Sequence, residues 1–332
     1  MLQTLQGSTL MVTGATGSFG RALIRYVLDH HRPAHIVAYS RDELKQYEAR
    51  RHFEDDPRLR WVIGDVRDRE RLVSAMRGVD HVVHAAALKQ VDTGESNPSE
   101  FVRTNVQGSQ NVIDAATETG VHKVVALSTD KACRPINTYG ATKLVADKLF
   151  IAANLQTAHL RTRFAVVRYG NVLGSRGSVV PFFREIGRTG ASLPITDKRM
   201  TRFWLGLDEA IHFVVESLDL MQGGELFVPR IPSMRLVDLA QAVVPDALMH
   251  EVGLRPGEKL HEEMIHPDDA AHVVRLGNRY IVQPTHGCAW NYLSPVDSLP
   301  VPDGFSYGSD QNSQWLTADD LRTMLERTGD VT

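Results

Sequence analysis

The chain has 332 residues, 42% of them hydrophobic and 23% charged, a composition typical of a globular protein with one large or two modest domains. Its formal net charge of -3 at pH 7 excludes a general electrostatic attraction to nucleic acid or to an anionic membrane surface. Only two cysteines occur, no apolar stretch reaches the length of a membrane span, and no signal segment is recognisable. We therefore expect a cytoplasmic protein without a disulfide framework or a metal site.

A short apolar strand at residues 10–12 leads into a glycine loop, and a helix-like segment follows from residue 21. The G-x-x-G-x-x-G spacing permits a tight turn, a close approach of the backbone to a pyrophosphate, and close packing of helix on strand. The N-terminus of such a helix offers free N–H groups to phosphates. A glycine-rich turn without a ligand is the alternative. The predicted dinucleotide contacts are Gly14, Thr16, Gly17, Ser18, Phe19 and Gly20.

Cofactor choice is usually settled just past the end of the second strand, here residues 35–39. A site for NAD would place an acid there to hold the ribose 2′-hydroxyl. This chain has Ser40 and Arg41 instead, with Lys45 one helical turn further on. A guanidinium can make a bidentate contact with a 2′-phosphate, so the pattern predicts NADP. The alternative is a solvated Arg41, with Asp42 on the ribose.

The loops after the third and fourth strands, residues 61–64 and 81–84, complete the predicted cofactor site. A carboxylate after the third strand would accept a hydrogen bond from the adenine amino group. Small residues after the fourth strand would let the backbone run close to the cofactor, and Lys89 beyond them could line the active site. The predicted contacts on these loops are Asp65, Val66, Ala85 and Ala86.

Two further features of this half are expected to be structural. Residues 101–119 are predicted to form one long helix, in which the amide of Asn105 could tie the helix to neighbouring backbone. His84, at the end of the fourth strand, is expected to pack beneath the dinucleotide rather than to take part in the chemistry.

The stretch after the fifth strand carries the candidate chemistry. Asp130 and Lys131 follow the apolar run 124–127, at the strand end where α/β sheets place reactive groups. Tyr139 and Lys143 lie four residues apart, so both side chains share one helix face. An ammonium beside a phenol lowers the pKa of the phenol, which would make Tyr139 a base near neutral pH. A chance Tyr-x-x-x-Lys on a surface helix is the alternative.

With a sixth strand at residues 164–169, the pattern predicts an α/β fold, a Rossmann-like doubly wound parallel sheet. We assign residues 1–170 to an NADP-binding domain, to which residues 206–230 return as a helix and a strand. Residues 171–332 would form mainly a smaller, C-terminal substrate-binding lobe.

Together these residues resemble the extended short-chain dehydrogenase/reductase family, in its branch of nucleotide-sugar 4,6-dehydratases. Within that branch the chain looks like the soluble inverting UDP-N-acetylglucosamine 4,6-dehydratases of the pseudaminic acid type. The resemblance covers roughly residues 7–282. Asp92 and Gly94 depart from the family pattern, which has a proline and a small non-glycine residue there. The segments that carry the resemblance are 40–43, 86–91, 128–131, 139–143, 168–172, 174–181, 200–203 and 255–264.

The resemblance implies a role for each candidate residue. Tyr139, assisted by Lys143, would remove the proton of the sugar C4 hydroxyl while NADP⁺ accepts a hydride from C4. Thr129 would hydrogen-bond the C4 oxygen. Lys131 would handle the C5 proton and Asp130 the C6 hydroxyl, with inversion at C5.

The second half would then hold a UDP-sugar. Arg202 and Arg255 are candidates for the diphosphate and Glu258 for the uridine ribose, with ordinary structural charges as the alternative. The resemblance also implies a homo-oligomer, a dimer or a hexamer. The predicted substrate contacts are Lys89, Asn171, Ser178, Val179, Arg202, Arg255 and Glu258.

Two other functions are compatible with the same scaffold. A nucleotide-sugar 4-epimerase or 4-ketoreductase would use Tyr139 and Lys143 without needing Asp130 and Lys131. A non-catalytic NADP-sensing regulator would be expected to lack the tyrosine or the lysine, and both are present.

Overall fold

A computed structural model of the chain describes residues 4–174, 179–284 and 292–327. Numbered in chain order, the strands are β1 Thr9–Thr13, β2 His35–Ser40, β3 Leu59–Ile63, β4 His81–His84, β5 Lys123–Thr129, β6 Arg163–Tyr169, β7 Asn171–Val172, β8 Leu193–Ile195, β9 Thr201–Leu205, β10 Leu226–Pro229, β11 Ser233–Arg235, β12 Met249–Glu251, β13 Glu263–Ile265, β14 Val273–Leu276, β15 Arg279–Val282, β16 Leu299–Pro300 and β17 Tyr307–Gly308. The α-helices are α1 Ser18–His30, α2 Glu43–His52, α3 Arg69–Met76, α4 Val91–Ser96, α5 Pro98–Phe101, α6 Gly108–Thr119, α7 Thr138–Gln156, α8 Val179–Thr189, α9 Leu207–Leu220, α10 Leu236–Val243 and α11 Ala318–Arg327.

A ten-stranded sheet forms the centre of the fold, in the order β16-β14-β15-β10-β6-β5-β4-β1-β2-β3. The strands from β10 to β3 in that order run parallel, so the doubly wound sheet and the return of β10 to it are confirmed. At the opposite edge of the sheet, β15 pairs antiparallel with β10, β14 with β15, and β16 with β14. Residues 273–282 and 299–300 thus extend the central sheet, and the predicted division into an NADP-binding domain and a substrate lobe stays a prediction.

Helices cover both faces of the sheet because successive strand residues point to opposite sides. Met11 of β1 packs into the core beneath α3, α6 and α7. Its neighbours Leu10 and Val12 pack into the core beneath α1 and α9. A third apolar cluster, around Phe183 and Trp204, joins α8, α10 and α11. The assignment of this third cluster to a separate substrate lobe stays a prediction.

The predicted long helix at residues 101–119 is not one regular α-helix. It starts at Pro98, passes through a π-helix at Val102–Gln107, and continues as α6 to a left-handed Gly120. The predicted tie through Asn105 is confirmed, because its amide exchanges hydrogen bonds of 2.8 and 2.9 Å with the backbone of Leu88. The π-helix thus holds the loop after β4 in place, a use of π-turns that is common near functional sites.

Candidate active site

A cavity of about 780 Å³ runs along the carboxyl ends of the parallel strands. Its wall is formed by the glycine loop, by the ends of β2, β4, β5 and β6, by the start of α7, and by residues 255–258. The crevice at the carboxyl ends of such strands is where open α/β sheets bind their ligands.

The glycine loop fits the pyrophosphate of a dinucleotide. Gly14 has φ +70°, and a Cβ there would lie 2.9 Å from the backbone nitrogen of Ala86. A Cβ on Gly20 would lie 2.5 Å from the Gly14 carbonyl oxygen, so α1 can pack this closely only against a glycine. No side chain caps the N-terminus of α1, which leaves its first N–H groups available to an anion. All six predicted loop residues line the cavity.

The end of the cavity beside β2 and β3 contains every polar residue predicted to bind the adenosine part of a dinucleotide. Asp42 caps α2 by accepting a hydrogen bond of 3.0 Å from the Lys45 backbone nitrogen, and it pairs with the Lys45 ammonium at 3.1 Å. These contacts lower the pKa of the Asp42 carboxyl. Arg41 is more exposed, and one of its Nη atoms lies 3.9 Å from Asp65. The carboxylate of Asp42 is thus engaged by Lys45, whereas the guanidinium of Arg41 is exposed and makes only a long ion pair with Asp65.

Local contacts determine where α7 begins. Asn137 caps the helix by accepting a hydrogen bond of 2.7 Å from the Gly140 backbone nitrogen. A Cβ on Gly140 would overlap the Lys131 carbonyl oxygen, so only glycine lets the helix pack against the turn after β5. The first two turns of α7 then place Tyr139 and Lys143 at the cavity, one helical turn apart.

The prediction that Lys143 lowers the pKa of Tyr139 is wrong for this structure. Burial raises the pKa of Tyr139 to about 12, and the opposing influences are the charge of Lys131 and a hydrogen bond with Thr129. Burial also lowers the pKa of Lys143, although the charge of Asp147 opposes that shift. Sequence spacing placed the two side chains correctly but contained no information on their desolvation, which dominates both shifts.

Lys131 lies between two buried carboxylates. Its Nζ is 3.0 Å from Oδ1 of Asp130 and 3.3 Å from Oε1 of Glu262. Burial lowers the pKa of Lys131, but the charges of the two carboxylates outweigh burial and raise the pKa above its ordinary value. The cavity wall includes Thr129, Lys131 and Glu262, but not Asp130, which is 1% exposed.

The predicted substrate contacts lie along the same cavity, apart from Ser178, which lies outside the described residues. Lys89 is one of them, and burial lowers the pKa of its ammonium. The contacts that line the cavity are Lys89, Asn171, Val179, Arg202, Arg255 and Glu258.

The two arginines predicted for the diphosphate differ in availability. Arg202 is 6% exposed. Its terminal nitrogens donate to the backbone carbonyl oxygens of Thr201, Lys259 and Leu260. Arg255 is exposed at the cavity rim, 3.9 Å from Asp92. Arg202 is thus largely engaged with backbone carbonyl oxygens, whereas Arg255 is the more exposed guanidinium, and both diphosphate contacts stay predictions.

Residues 10–284 match the family model described as polysaccharide biosynthesis protein. The chain belongs to this family. It is 50% identical over 327 residues to the UDP-N-acetylglucosamine 4,6-dehydratase (inverting) of Campylobacter jejuni, covering 96% of this chain and 97% of that relative. It is 40% identical over 291 residues to a UDP-glucose 4-epimerase of Rickettsia canadensis, covering 86% and 85% of the two chains. The resemblance inferred from the motifs is thereby confirmed.

Solved structures show the same fold. The chain superimposes on Pen from Bacillus thuringiensis with a TM-score of 0.91 and 33% identity, covering 98% of this chain and 99% of Pen. It superimposes on DesIV, a dTDP-glucose 4,6-dehydratase from Streptomyces venezuelae solved with NAD bound, with a TM-score of 0.68 and 28% identity over 76% of this chain and 86% of DesIV. In the described parts of this member of the polysaccharide biosynthesis family, no helix combines the length and apolar character that crossing a membrane requires.

A buried polar cluster, missed at the level of sequence, supports α7 in this family member. The Asp147 carboxylate accepts hydrogen bonds from Ser128 Oγ at 2.8 Å and from Arg168 at 3.1 Å. Arg168 also donates to the Met264 carbonyl oxygen at 2.9 Å. The cluster thus connects β5, β6, α7 and β13 directly behind the cavity. Asp147 follows Lys143 by one helical turn, and this spacing is the signal that could have identified it.

Glu262 was also missed, although the segment 255–264 contributed to the resemblance. Its side chain is 2% exposed and lies near two cations besides Lys131. Lys259 Nζ is 3.7 Å and Arg202 Nε is 4.0 Å from its carboxylate oxygens. The sequence signal for a site here is the cluster of charged residues beside apolar Leu260 and Met264. That cluster does not indicate which charged side chain lines the cavity.

His84 is packed beneath the cavity, as predicted. It is 1% exposed, and its Nδ1 lies 2.8 Å from Thr13 Oγ1. The same hydroxyl accepts hydrogen bonds from the backbone nitrogens of Ala85 and Ala86, so its proton goes to the imidazole. Burial lowers the pKa of His84 to about 3, which keeps the ring neutral.

This burial predicts acid destabilisation. A histidine whose folded-state pKa is lowered contributes stability that is full above its ordinary pKa and is lost as pH falls from there toward the folded-state value. For His84 the shift from 6.5 to about 3 is worth up to about 5 kcal/mol.

We expect the free energy of unfolding, measured with urea at pH 7.5 and pH 5, to fall less in His84→Asn than in the wild type. Exposed His159 provides the control. The same loss in the wild type, His84→Asn and His159→Asn would contradict this assignment.

Proposed function

We propose that this chain is an enzyme, a nucleotide-sugar 4,6-dehydratase that removes water from UDP-N-acetylglucosamine. The product is a UDP-4-keto-6-deoxy-N-acetylhexosamine, inverted at C5. One observation carries the proposal. Tyr139 and Lys131 line the same cavity as a glycine loop of the dinucleotide-binding type. The chain that contains them is 50% identical to an inverting UDP-N-acetylglucosamine 4,6-dehydratase.

The cofactor is a nicotinamide dinucleotide, held by the glycine loop along the strand ends. The choice of NADP over NAD is supported by Arg41, whose exposed guanidinium makes only a long ion pair with Asp65, and by Asp42, which is engaged as a helix cap. When bound, the nicotinamide takes a hydride from C4 of the sugar and returns it to C6, so the cofactor is regenerated within each turnover.

The residues of the first step are Tyr139, Lys143 and Thr129. Tyr139 takes the proton of the C4 hydroxyl, and the Thr129 hydroxyl hydrogen-bonds the C4 oxygen. The charge of Lys131 and the hydrogen bond with Thr129 favour the phenolate, against the burial that raises the pKa of Tyr139. The resulting C4 ketone makes the hydrogen on C5 acidic.

The second step belongs to the cluster around Lys131. Lys131 first passes its proton to Asp130 and, as the neutral amine, takes the proton of C5. The C6–O bond then breaks, and the C6 hydroxyl receives the Asp130 proton through Lys131 and leaves as water. Once C6 has regained a hydrogen, C5 is protonated again on the opposite face. We assign the C5 proton to Lys131 and the C6 hydroxyl to Asp130, which acts through Lys131 because it lies behind the cavity wall. The two groups titrate as a coupled pair.

The remaining contacts are proposed for the UDP part of the substrate. Arg255 is the exposed guanidinium assigned to the diphosphate, and Glu258 accepts from the uridine ribose hydroxyls. Lys89, Asn171 and Val179, which line the cavity, are assigned to the sugar. We also propose a homo-oligomer, a dimer or a hexamer.

The second candidate function is a UDP-sugar 4-epimerase, the name of a relative that is 40% identical. An epimerase returns the hydride to the opposite face of C4 and needs no group that acts at C5 or C6. Mass spectrometry of the product separates the two functions. Dehydration removes the mass of one water from UDP-N-acetylglucosamine, whereas an epimer has the mass of the substrate.

The NADP assignment predicts a selective loss in Arg41→Ala. A charge-assisted contact with a phosphate contributes about 1.5–3 kcal/mol, so NADP should bind about 10-fold to 150-fold more weakly while NAD changes little. Calorimetric titration of cofactor-stripped protein with each dinucleotide measures this. Arg51→Ala, exposed near the end of α2, is the matched control. Equal weakening of both dinucleotides, or no weakening of NADP, would refute the assignment.

A further inference from the structure

We propose that Glu262 is a positioning residue for Lys131, holding its ammonium at the cavity wall for the chemistry at C5 and C6. The inference rests on the proposed dehydration and adds a second carboxylate to it. Lys131 Nζ lies 3.0 Å from Asp130, the preceding residue, and 3.3 Å from Glu262, which is distant in sequence. The two carboxylates together hold the ammonium in place.

Glu262 differs from Asp130 in its relation to the cavity. Both are almost fully buried, but only Glu262 contributes to the cavity wall beside Lys131. Like Oδ2 of Asp130, Oε2 of Glu262 is buried and has no hydrogen-bond partner among the described residues, with Lys259 Nζ at 3.7 Å. A carboxylate kept only for structure normally has both oxygens satisfied, because leaving one unpaired in the interior is costly.

The backbone around Glu262 is held rigidly. Its N–H donates to Ser309 Oγ at 3.0 Å, and its carbonyl oxygen accepts from the Ser309 N–H at 2.8 Å. Two residues away on either side, Arg202 donates to the Leu260 carbonyl oxygen and Arg168 to that of Met264. The carboxylate therefore has a fixed place from which to orient the Lys131 ammonium.

The charges around Lys131 determine what removal of Glu262 does. Asp130 faces the ammonium from the turn after β5, Arg202 from β9, and Tyr139 from α7. Glu258 and Lys259 lie on the segment before β13, close to Arg202 and Glu262 respectively. Without the charge of Glu262, one carboxylate is left to oppose burial and the positive charge of Arg202. Lys131 would then lose its proton at a lower pH and would lose one of its two anchors.

The test compares Glu262→Gln, which keeps the shape, with Glu262→Asp, which keeps the charge, and with Glu263→Gln as the matched control. Glu263 is the next residue and contacts the Cys133 sulfur instead of the large cavity. Reduced-cofactor absorbance in a single turnover measures C4 oxidation. Product formation and deuterium uptake at C5 measure the later steps.

For Glu262→Gln we expect C4 oxidation within a few-fold of wild type, product formation about 100-fold slower, and the alkaline limb of the kcat–pH profile moved to lower pH. Glu262→Asp should recover part of the rate, and Glu263→Gln should behave as wild type. Wild-type rates and an unmoved pH limb in Glu262→Gln would overturn the inference. So would equal loss of both half-reactions without rescue by aspartate, which indicates a structural role. A wild-type enzyme that removes no water would instead contradict the proposed function itself.

Discussion

Tyr139→Phe is expected to abolish oxidation at C4 while leaving dinucleotide and UDP binding almost unchanged. The substitution removes one hydroxyl from a buried ring and leaves its packing at the start of α7 intact. Loss of a general base slows a reaction by about 10²–10⁴-fold, and no other described phenol shares a helix face with Lys143 at the cavity. Because oxidation at C4 comes first, the rate of product formation should fall by the same factor.

Single-turnover absorbance of the reduced cofactor measures this loss, and titration with UDP measures binding. Tyr47→Phe, an exposed tyrosine on α2, is the control for an ordinary tyrosine substitution. Reduced cofactor formed at the wild-type rate by Tyr139→Phe would exclude Tyr139 as the base. Loss of UDP binding in parallel would show that the side chain shapes the cavity instead.

Lys131→Ala is expected to separate the two halves of the reaction. Tyr139 and Lys143 are untouched, so C4 oxidation should continue. Without the ammonium, proton transfer at C5 and departure of the C6 hydroxyl should slow by about 10²–10⁴-fold. Reduced cofactor and a 4-keto sugar should therefore accumulate together, and C5 should take up no deuterium.

The substitution also leaves Asp130 and Glu262 without their shared cation, which costs stability. Breaking one member of a buried ion pair typically destabilises by about 3–5 kcal/mol, and partial exposure of Lys131 reduces that figure here. A thermal melt should accompany the kinetics, with exposed Lys148→Ala on α7 as control. Normal product formation by folded Lys131→Ala would contradict the assignment. Equal loss of C4 oxidation would place Lys131 in the first step.

Sequence predicted the parts of the site that depend on nearby residues. The turn at Gly14 and the packing of Gly20 against it are contacts within a few residues, and each follows from the absence of a side chain on glycine. The spacing of Tyr139 and Lys143 placed both on one helix face for the same reason.

Sequence patterns could not predict the contacts between distant parts of the chain. Glu262 meets Lys131 only because β13 folds back beside the turn after β5, and nothing in the local pattern indicates that pairing. The antiparallel edge strands at residues 273–282 and 299–300 join the sheet by the same kind of long-range pairing. The pKa of Tyr139 depends on burial, which only the folded arrangement determines.

The central claim, dehydration of UDP-N-acetylglucosamine with internal recycling of the cofactor, is tested most directly by proton NMR. Purified protein is mixed with UDP-N-acetylglucosamine in deuterated water, first without added cofactor and then with NADP⁺. We predict a new C6 methyl signal, deuterium at C5, and coupling constants that report inversion. A C4 epimer without a methyl signal would contradict dehydration and favour the epimerase. An unchanged spectrum in the presence of NADP⁺ would contradict the choice of this sugar nucleotide.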